Sequence, residues 1–244
     1  MQQASWNHEA GIFAIDSARQ QVPFAMPDSH LHDWYELYYL VQGERDYFIR
    51  DRTFHLAAGS MAAIPPNELH RSLGNHVRQW ERILISFRPG FLAGSSADHA
   101  ALLALFHQEN PCLQASGKDR ARIETILADM LQEASSQAAS FPLQLSALLT
   151  QLLVLLQRLN SQRRQPAHPV LSSRHARVEP ILSFLNQSFA ERITLEDLAR
   201  RFHISPFYLC KRFRAETGFT VVEYLNQVRI REARRLLEKT DLSI

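Results

Sequence analysis

The stretch ITLEDLARRFHISPFYLCKRFRAETG, residues 193–218, decides how the C-terminal part of this chain folds. Thr194 is a natural N-cap for a first helix, whose apolar residues then recur at helical spacing. His203 stands where the chain must reverse, because histidine is among the few non-glycine residues that tolerate a left-handed backbone. Ser205 and Pro206 start a second helix as its N-cap and first helical residue. The stretch therefore predicts two short helices joined by a tight turn.

The second of these helices has an outward face of mixed basic and apolar character. Phe207, Cys210, Lys211 and Arg214 fall at positions i, i+3, i+4 and i+7, so they share one face. A short helix that is capped, basic on its open face and braced by a preceding helix is typical of a helix-turn-helix recognition helix. The simpler interpretation is a helical hairpin whose basic face is solvated.

A resemblance to a known family favours the recognition helix. Over residues 190–244, the run ARRFHISPFYLCKRFRAETG, followed by Tyr224-Leu225 and RIREARRLL, resembles the DNA-binding domain of the AraC/XylS transcription regulators. The resemblance implies double-stranded DNA as a partner and RNA polymerase as a further candidate. In the family the final segment TDLSI opens a second helix-turn-helix, so we expect the chain to be truncated before it. The residues expected to contact DNA are Phe207, Cys210, Lys211 and Arg214 at base edges, with Arg201 and the backbone at Thr194 at phosphates.

Composition and charge agree with a folded, two-part protein. Hydrophobic residues make up 45% of the 244-residue chain and charged residues 21%, which excludes a disordered chain. Residues 1–159 hold 12 basic and 16 acidic side chains, whereas residues 160–244 hold 15 and 9. A surface for binding a polyanion is therefore expected only in the C-terminal third. With two cysteines, no signal peptide and no apolar run judged long enough for a membrane span, we expect a cytoplasmic protein. Cys210 is also a candidate redox switch on the DNA-facing helix.

Residues 12–87 read as short strands separated by turns, which indicates a small antiparallel barrel or sandwich. Within them the spacings H-x-H-x3-E-x6-G and G-x5-P-x4-H resemble the two motifs of the cupin barrel. They place His30, His32, Glu36 and His70 as a set that would suit Zn, Fe, Mn or Ni. Asn67 departs from the second motif.

Two interpretations of this set stay open. The AraC-type resemblance implies a cupin-like sensor that binds a small polar effector, such as a sugar or small acid, with no metal or other cofactor. It also implies that Arg82 lines the pocket and that residues 6–28 form an arm over it. The expected effector-binding residues are His30, His32, Glu36, His70 and Arg82. The alternative is a metal-dependent cupin enzyme with accessory helices.

From residue 98 the hydrophobic period changes to that of helices. The wide leucine stripe of residues 142–159 is either a layer buried under the barrel or a dimer seam, and the family favours a homodimer through residues 119–159. The overall prediction is an α+β chain, with a cupin-like antiparallel barrel and helices followed by an all-α helix-turn-helix domain. The expected parts are a barrel with its arm (1–97), a helical dimerisation and packing region (98–159), a linker (160–176) and a DNA-binding domain (177–244).

Overall fold

A computed structural model describes residues 5–7, 13–20, 32–73, 79–162 and 178–239, and it confirms the α+β class. The strands are β1 (Ser5–Asn7), β2 (Phe13–Gln20), β3 (Tyr35–Gln42), β4 (Glu44–Ile49), β5 (Arg52–Ala57), β6 (Ser60–Ile64), β7 (His70–Leu73), β8 (Trp80–Phe87) and β9 (Cys112–Gln114). The α-helices are α1 (Ser96–Leu103), α2 (Gly117–Ser136), α3 (Phe141–Ser161), α4 (Glu179–Gln187), α5 (Leu195–Arg201), α6 (Pro206–Thr217) and α7 (Val221–Lys239). Two short 3-10 helices cover Pro89–Phe91 and Ala104–His107.

The strands form two antiparallel sheets that face each other. The larger sheet has the order β1-β2-β8-β3-β6-β9, and the smaller has the order β5-β4-β7. Side chains alternate across each strand, so every second residue points into the space between the sheets. Tyr38, Tyr47, Phe54 and Trp80 belong to one buried cluster there, although they come from four different strands. This inner space is where the polar residues of the motifs converge.

Two expectations about the N-terminal part are wrong. Residues 13–20 do not lie outside the barrel as an arm, because β2 pairs with β8 along its whole length. The region of residues 98–159 is not wholly helical, because β9 pairs with β6 at the edge of the larger sheet. Three residues are too few to give a recognisable strand period, which is why the sequence pattern missed β9.

Helices α2 and α3 cover the outer face of the larger sheet. One side of the leucine stripe of α3, including the fully buried Leu145, Leu149 and Leu152, packs in a core shared with that sheet and α2. The stripe is therefore a buried layer under the barrel. The judgement that this run is too short for a membrane span is wrong by length, since α3 has 21 residues and includes an 18-residue window with a mean hydropathy of 1.2. Because one side of α3 is buried in the core under the larger sheet, α3 has the packing of a core helix in a folded domain.

The helix-turn-helix stretch folds as predicted, because its signals are local. The Thr194 hydroxyl accepts from the backbone N–H of Asp197, whose carboxylate in turn accepts from the N–H of Thr194. His203 takes the left-handed backbone with φ of 54°, and Ser205 caps α6. Gly218 ends α6 with φ of 80°. Leu198, Leu209 and Phe213 are buried between the helices.

The C-terminal helices pack on the outer face of the smaller sheet. The Phe48 ring lies 5.7 Å from that of Phe219. The Thr53 hydroxyl donates to the carbonyl of Glu216 over 3.4 Å. Arg71 donates to the carbonyl of Gly218, at the end of α6. The two halves of the chain therefore share one buried cluster at this face.

Three arginines of α7 make polar contacts outside that helix. Arg229 donates to the backbone carbonyls of Phe189 and Glu191, each over 2.8 Å. Arg231 pairs with Glu68 at 3.4 Å, and Arg234 donates to the side chain of Asn67. These arginines connect α7 to the segment that follows α4 and to the loop between β6 and β7.

Candidate functional site

Three of the four motif residues meet inside the barrel around one buried carboxylate. Nε2 of His32 lies 3.2 Å from one oxygen of Glu36, and Nε2 of His70 lies 3.6 Å from the other. The Tyr47 hydroxyl donates to the same carboxylate over 3.3 Å. His32 precedes β3 and reaches Glu36 from the loop, so alternation along a strand does not explain its position. His30 lies outside the described residues.

Both imidazoles are oriented by the protein backbone. Nδ1 of His32 lies 2.9 Å from the carbonyl oxygen of Trp34, and Nδ1 of His70 lies 2.8 Å from that of Glu68. Since a carbonyl oxygen only accepts, each Nδ1 carries a proton and each Nε2 points at Glu36. The donor atoms of the three residues lie within 4.8 Å of one another. This arrangement can accept hydroxyl donors of a ligand or hold a divalent metal through two imidazoles and a carboxylate.

Arg82 also lies on the inner side of the larger sheet, as expected. Its guanidinium donates to the Asp16 carboxylate of the neighbouring strand over 2.7 Å. About a fifth of the side chain is exposed. Arg82 is thus an ion-paired arginine at the wall of the inner space, and any ligand contact would be shared with Asp16.

The sequence argument missed a second arginine in the interior. Arg45 of β4 is fully buried, and its guanidinium donates to the Ser72 hydroxyl from two nitrogens, at 3.1 and 2.7 Å. Its central carbon lies 4.7 Å from the centre of the Trp80 ring. A signal for its position was available in the sequence. Side chains two residues apart on a strand lie on the same side, so Arg45 lies on the side of β4 that carries Tyr47.

The phenols beside these groups stay neutral. Burial raises the pKa of Tyr38 to about 12, and burial likewise raises the pKa of Tyr47 well above its ordinary value. Both hydroxyls therefore act as neutral donors or acceptors at physiological pH.

The outward face of α6 stands free of the barrel. Phe207 is 78% exposed, and Cys210, Lys211 and Arg214 are exposed beside it. These are the four residues expected at base edges. Of the two expected phosphate contacts, Thr194 caps α5 and is exposed, and the guanidinium of Arg201 lies 4.2 Å above the Phe184 ring. The sequence had given no sign of the Arg201–Phe184 contact.

Comparisons with known proteins bring these observations together. Residues 14–153 match the AraC-like ligand binding domain, and residues 198–244 match a helix-turn-helix domain. The chain is 29% identical over 213 residues to the HTH-type transcriptional activator RhaR of Pectobacterium carotovorum subsp. carotovorum (strain PC1), covering 85% of this chain and 72% of that protein. It is 26% identical over 242 residues to the HTH-type transcriptional activator RhaS of Klebsiella pneumoniae (strain 342), covering 97% and 82%.

Among solved structures, the AraC-like transcriptional activator CuxR is similar with a TM-score of 0.40 and 14% identity, covering 96% of this chain and 80% of that one. The domain match to residues 14–153 alone spans more than half of the chain. This chain belongs to the AraC family of transcription regulators, with an N-terminal ligand-binding domain and a C-terminal helix-turn-helix.

Proposed function

We propose that α6 reads DNA in the major groove through Phe207, Cys210, Lys211 and Arg214. The observation that carries this is the free, basic outer face of α6, which begins at a capped N-terminus. Lys211 is suited to the acceptor edge of guanine, and Phe207 to a thymine methyl group. Arg201 and the backbone amides at Thr194 hold phosphates and fix the register.

The inner space of the barrel binds a small polar effector, a sugar or a small acid. His32, Glu36 and His70 provide hydrogen-bonding groups for its hydroxyls, together with Arg82 at the wall. His30 is a further candidate for this set. Effector binding changes how the C-terminal helices sit on the smaller sheet, and this requires the effector to favour one arrangement by a real free-energy difference.

The proposal also covers the cellular location of the chain, its protein partners and its division into parts. The chain acts in the cytoplasm as a regulator without catalytic activity, contacts RNA polymerase on the promoter, and pairs with a second copy through residues 119–159. Its parts are the sensor barrel (1–97), the packing and dimerisation region (98–159), the linker (160–176) and the DNA-binding domain (177–244). Because the leucine stripe of α3 is buried within the chain, a dimer would use the exposed side of α2 and α3.

Selection of binding sequences from random double-stranded DNA tests the proposal. Wild-type protein should enrich a sequence motif, and Lys211→Ala should relax the preference at one position, at a cost of about 1–3 kcal/mol. Lys118→Ala removes the same charge from an exposed site on α2 and is the matched control. An unchanged motif and affinity in Lys211→Ala would refute the assignment of α6. Elemental analysis of the same untagged preparation shows whether His32, Glu36 and His70 hold a metal instead, as the cupin-enzyme alternative requires.

A further inference from the structure

The loop of residues 65–69, between β6 and β7, contacts the proposed effector residues through its backbone. The backbone N–H of Asn67 donates to the carbonyl of His32 over 2.8 Å. The Glu68 carbonyl lies 2.8 Å from Nδ1 of His70, the nitrogen that carries the proton. The 65–69 loop therefore orients one imidazole and holds the segment that carries the other.

The same loop contacts the C-terminal helices through its side chains. Arg231 of α7 pairs with one oxygen of the Glu68 carboxylate at 3.4 Å, and Arg234 donates to the side chain of Asn67. Leu69 is buried in the apolar cluster that the smaller sheet shares with these helices. Asn67 and Glu68 thus bond to the effector site with their backbone and to α7 with their side chains.

The 65–69 loop has little backbone freedom. Pro65 and Pro66 fix their own φ angles, because the proline ring closes on the backbone nitrogen. Asn67 takes the left-handed backbone with φ of 59°, which few other non-glycine residues adopt readily. A displacement at the backbone of the loop is therefore passed on to its side chains and is not absorbed within it.

The Glu68 carboxylate is held from the barrel as well as from α7. Nε of Arg50, which follows β4, donates to the second carboxylate oxygen over 2.8 Å. The bond to Arg50 is shorter than the contact with Arg231 at 3.4 Å. The position of the carboxylate is therefore set by the barrel, and the pair with Arg231 depends on where the loop lies.

We propose that the 65–69 loop couples the effector site to the C-terminal helices, with Glu68 as its positioning residue. A ligand that bonds to the imidazoles of His32 and His70 shifts the loop, and the pair of Glu68 with Arg231 then weakens. Because a coupling free energy is reciprocal, loosening α7 must also change the surroundings of the imidazoles. This inference rests on the proposed function, since it names the element through which the barrel acts on the helices.

The reciprocal effect is measured without effector or DNA, by NMR of the full chain carrying isotope-labelled histidine. Arg231→Met removes the pair with Glu68 and should shift the imidazole nitrogen signals of His70, which are assigned by through-bond correlation to the backbone. Arg229→Met is the matched control. It removes the same charge from the same helix, but Arg229 donates to two carbonyls of the segment that follows α4.

Two results of this experiment overturn the proposal. One is a set of His70 signals in Arg231→Met that matches the wild type, and the other is an equal shift in Arg231→Met and Arg229→Met. A purely structural ion pair would lower the unfolding temperature of Arg231→Met without moving the imidazole signals, so the signals and not the stability decide.

The forward effect is measured by hydrogen exchange. His70→Phe keeps an aromatic ring in the inner space but removes the donor to the Glu68 carbonyl. Exchange in α7 should then become about 3- to 10-fold faster, while α3 keeps its rate. Tyr38→Phe is the control, because it removes a hydroxyl from the same buried inner space. Unchanged exchange in α7 of folded His70→Phe, or equal acceleration in Tyr38→Phe, contradicts the coupling. Should His70→Phe not fold, the comparison of Arg231→Met with Arg229→Met decides alone.

Failure of this inference is distinguishable from failure of the proposed function. The DNA selection with Lys211→Ala judges α6 without involving the 65–69 loop. A chain that selects a DNA sequence but shows no shift at His70 keeps the proposed function and loses the coupling. A chain that shows the shift but selects no sequence keeps the coupling and loses the assignment of α6.

Discussion

The two sheets of the barrel differ in what covers their outer faces. The larger sheet is covered by α2 and α3, which follow it directly in the chain, through an apolar core. The smaller sheet is covered by α4 to α7, which come from the far end of the chain. There Phe48, Leu69 and Leu73 share a buried apolar cluster with the helices, and polar contacts lie beside it, such as the pair of Glu68 with Arg231, 163 residues away. We expect this mixed contact between distant segments to open more readily than the continuous apolar core under the larger sheet.

The difference matters because β7 contributes to both sides of the smaller sheet. His70 and Ser72 point inward to Glu36 and Arg45, while Arg71 points outward and donates to the carbonyl of Gly218 at the end of α6. A ligand that shifts β7 therefore acts on the recognition helix across the thickness of one sheet. We expect effector binding to change the docking of the C-terminal helices and to leave the core under the larger sheet unchanged.

The largest expected effect is on the core under the larger sheet. Leu149→Ala removes a fully buried side chain of α3 and should lower the free energy of unfolding by about 2–5 kcal/mol. Leu143→Ala on the same helix is the control, because Leu143 is 70% exposed and its loss should cost within about 0.5 kcal/mol. Urea unfolding measures both. A comparable loss in Leu143→Ala would mean that a second chain covers this side of α3.

A smaller and more local effect is expected at the other sheet. Phe48→Ala removes the apolar centre of the docking face and should weaken docking by about 2 kcal/mol. Hydrogen exchange should then rise in α4 to α7, while α3 keeps its protection. Phe207→Ala, at a 78% exposed site, should leave both regions unchanged. Equal loss of protection in α3 and α7 would show that the two faces belong to one cooperative unit, contrary to the comparison.

The contrast between contacts near in the chain and contacts between distant segments also decides how much of the fold could be predicted from the sequence. The caps at Thr194 and Ser205 depend on neighbours within four residues, and both predictions are confirmed. The strands predicted within residues 12–87 are confirmed in the described parts of that range, as β2 to β8, because alternation is read along a single strand.

Contacts between distant strands could not be predicted in this way. The contact of Arg45 with Ser72 depends on the register of β4 against β7, which places Tyr47 opposite Ser72. The docking of α7 depends on an ion pair between residues 68 and 231, and neither residue carries a local sign of it. The convergence of His32, Glu36 and His70 was predictable because a family motif, and not a local rule, records that long-range geometry.

The smallest expected effect concerns two buried tyrosines, one at the contact of the larger sheet with α2 and one at the contact of the smaller sheet with α7. Tyr39 donates to Glu124 of α2 over 2.8 Å, and Tyr224 of α7 donates to the carbonyl of Arg50 over 3.2 Å. Burial raises the pKa of both phenols above the ordinary value of 10.0, with the bond to Glu124 adding to the shift of Tyr39. Because the folded pKa is raised, the stability from each phenol is full below pH 10 and is lost as the pH rises further.

Removing either hydroxyl should cost about 1 kcal/mol at neutral pH, so Tyr39→Phe and Tyr224→Phe form a matched pair. An alkaline titration followed by the ultraviolet absorbance of tyrosinate distinguishes the two phenols. Each Phe variant lacks one of them, so the transition that disappears belongs to the substituted tyrosine. If the docking face opens when DNA is bound, Tyr224 should then titrate closer to its ordinary pKa, while Tyr39, in the permanent core, should not move. A Tyr224 transition that DNA leaves in place would show that the C-terminal helices bind DNA without leaving the smaller sheet.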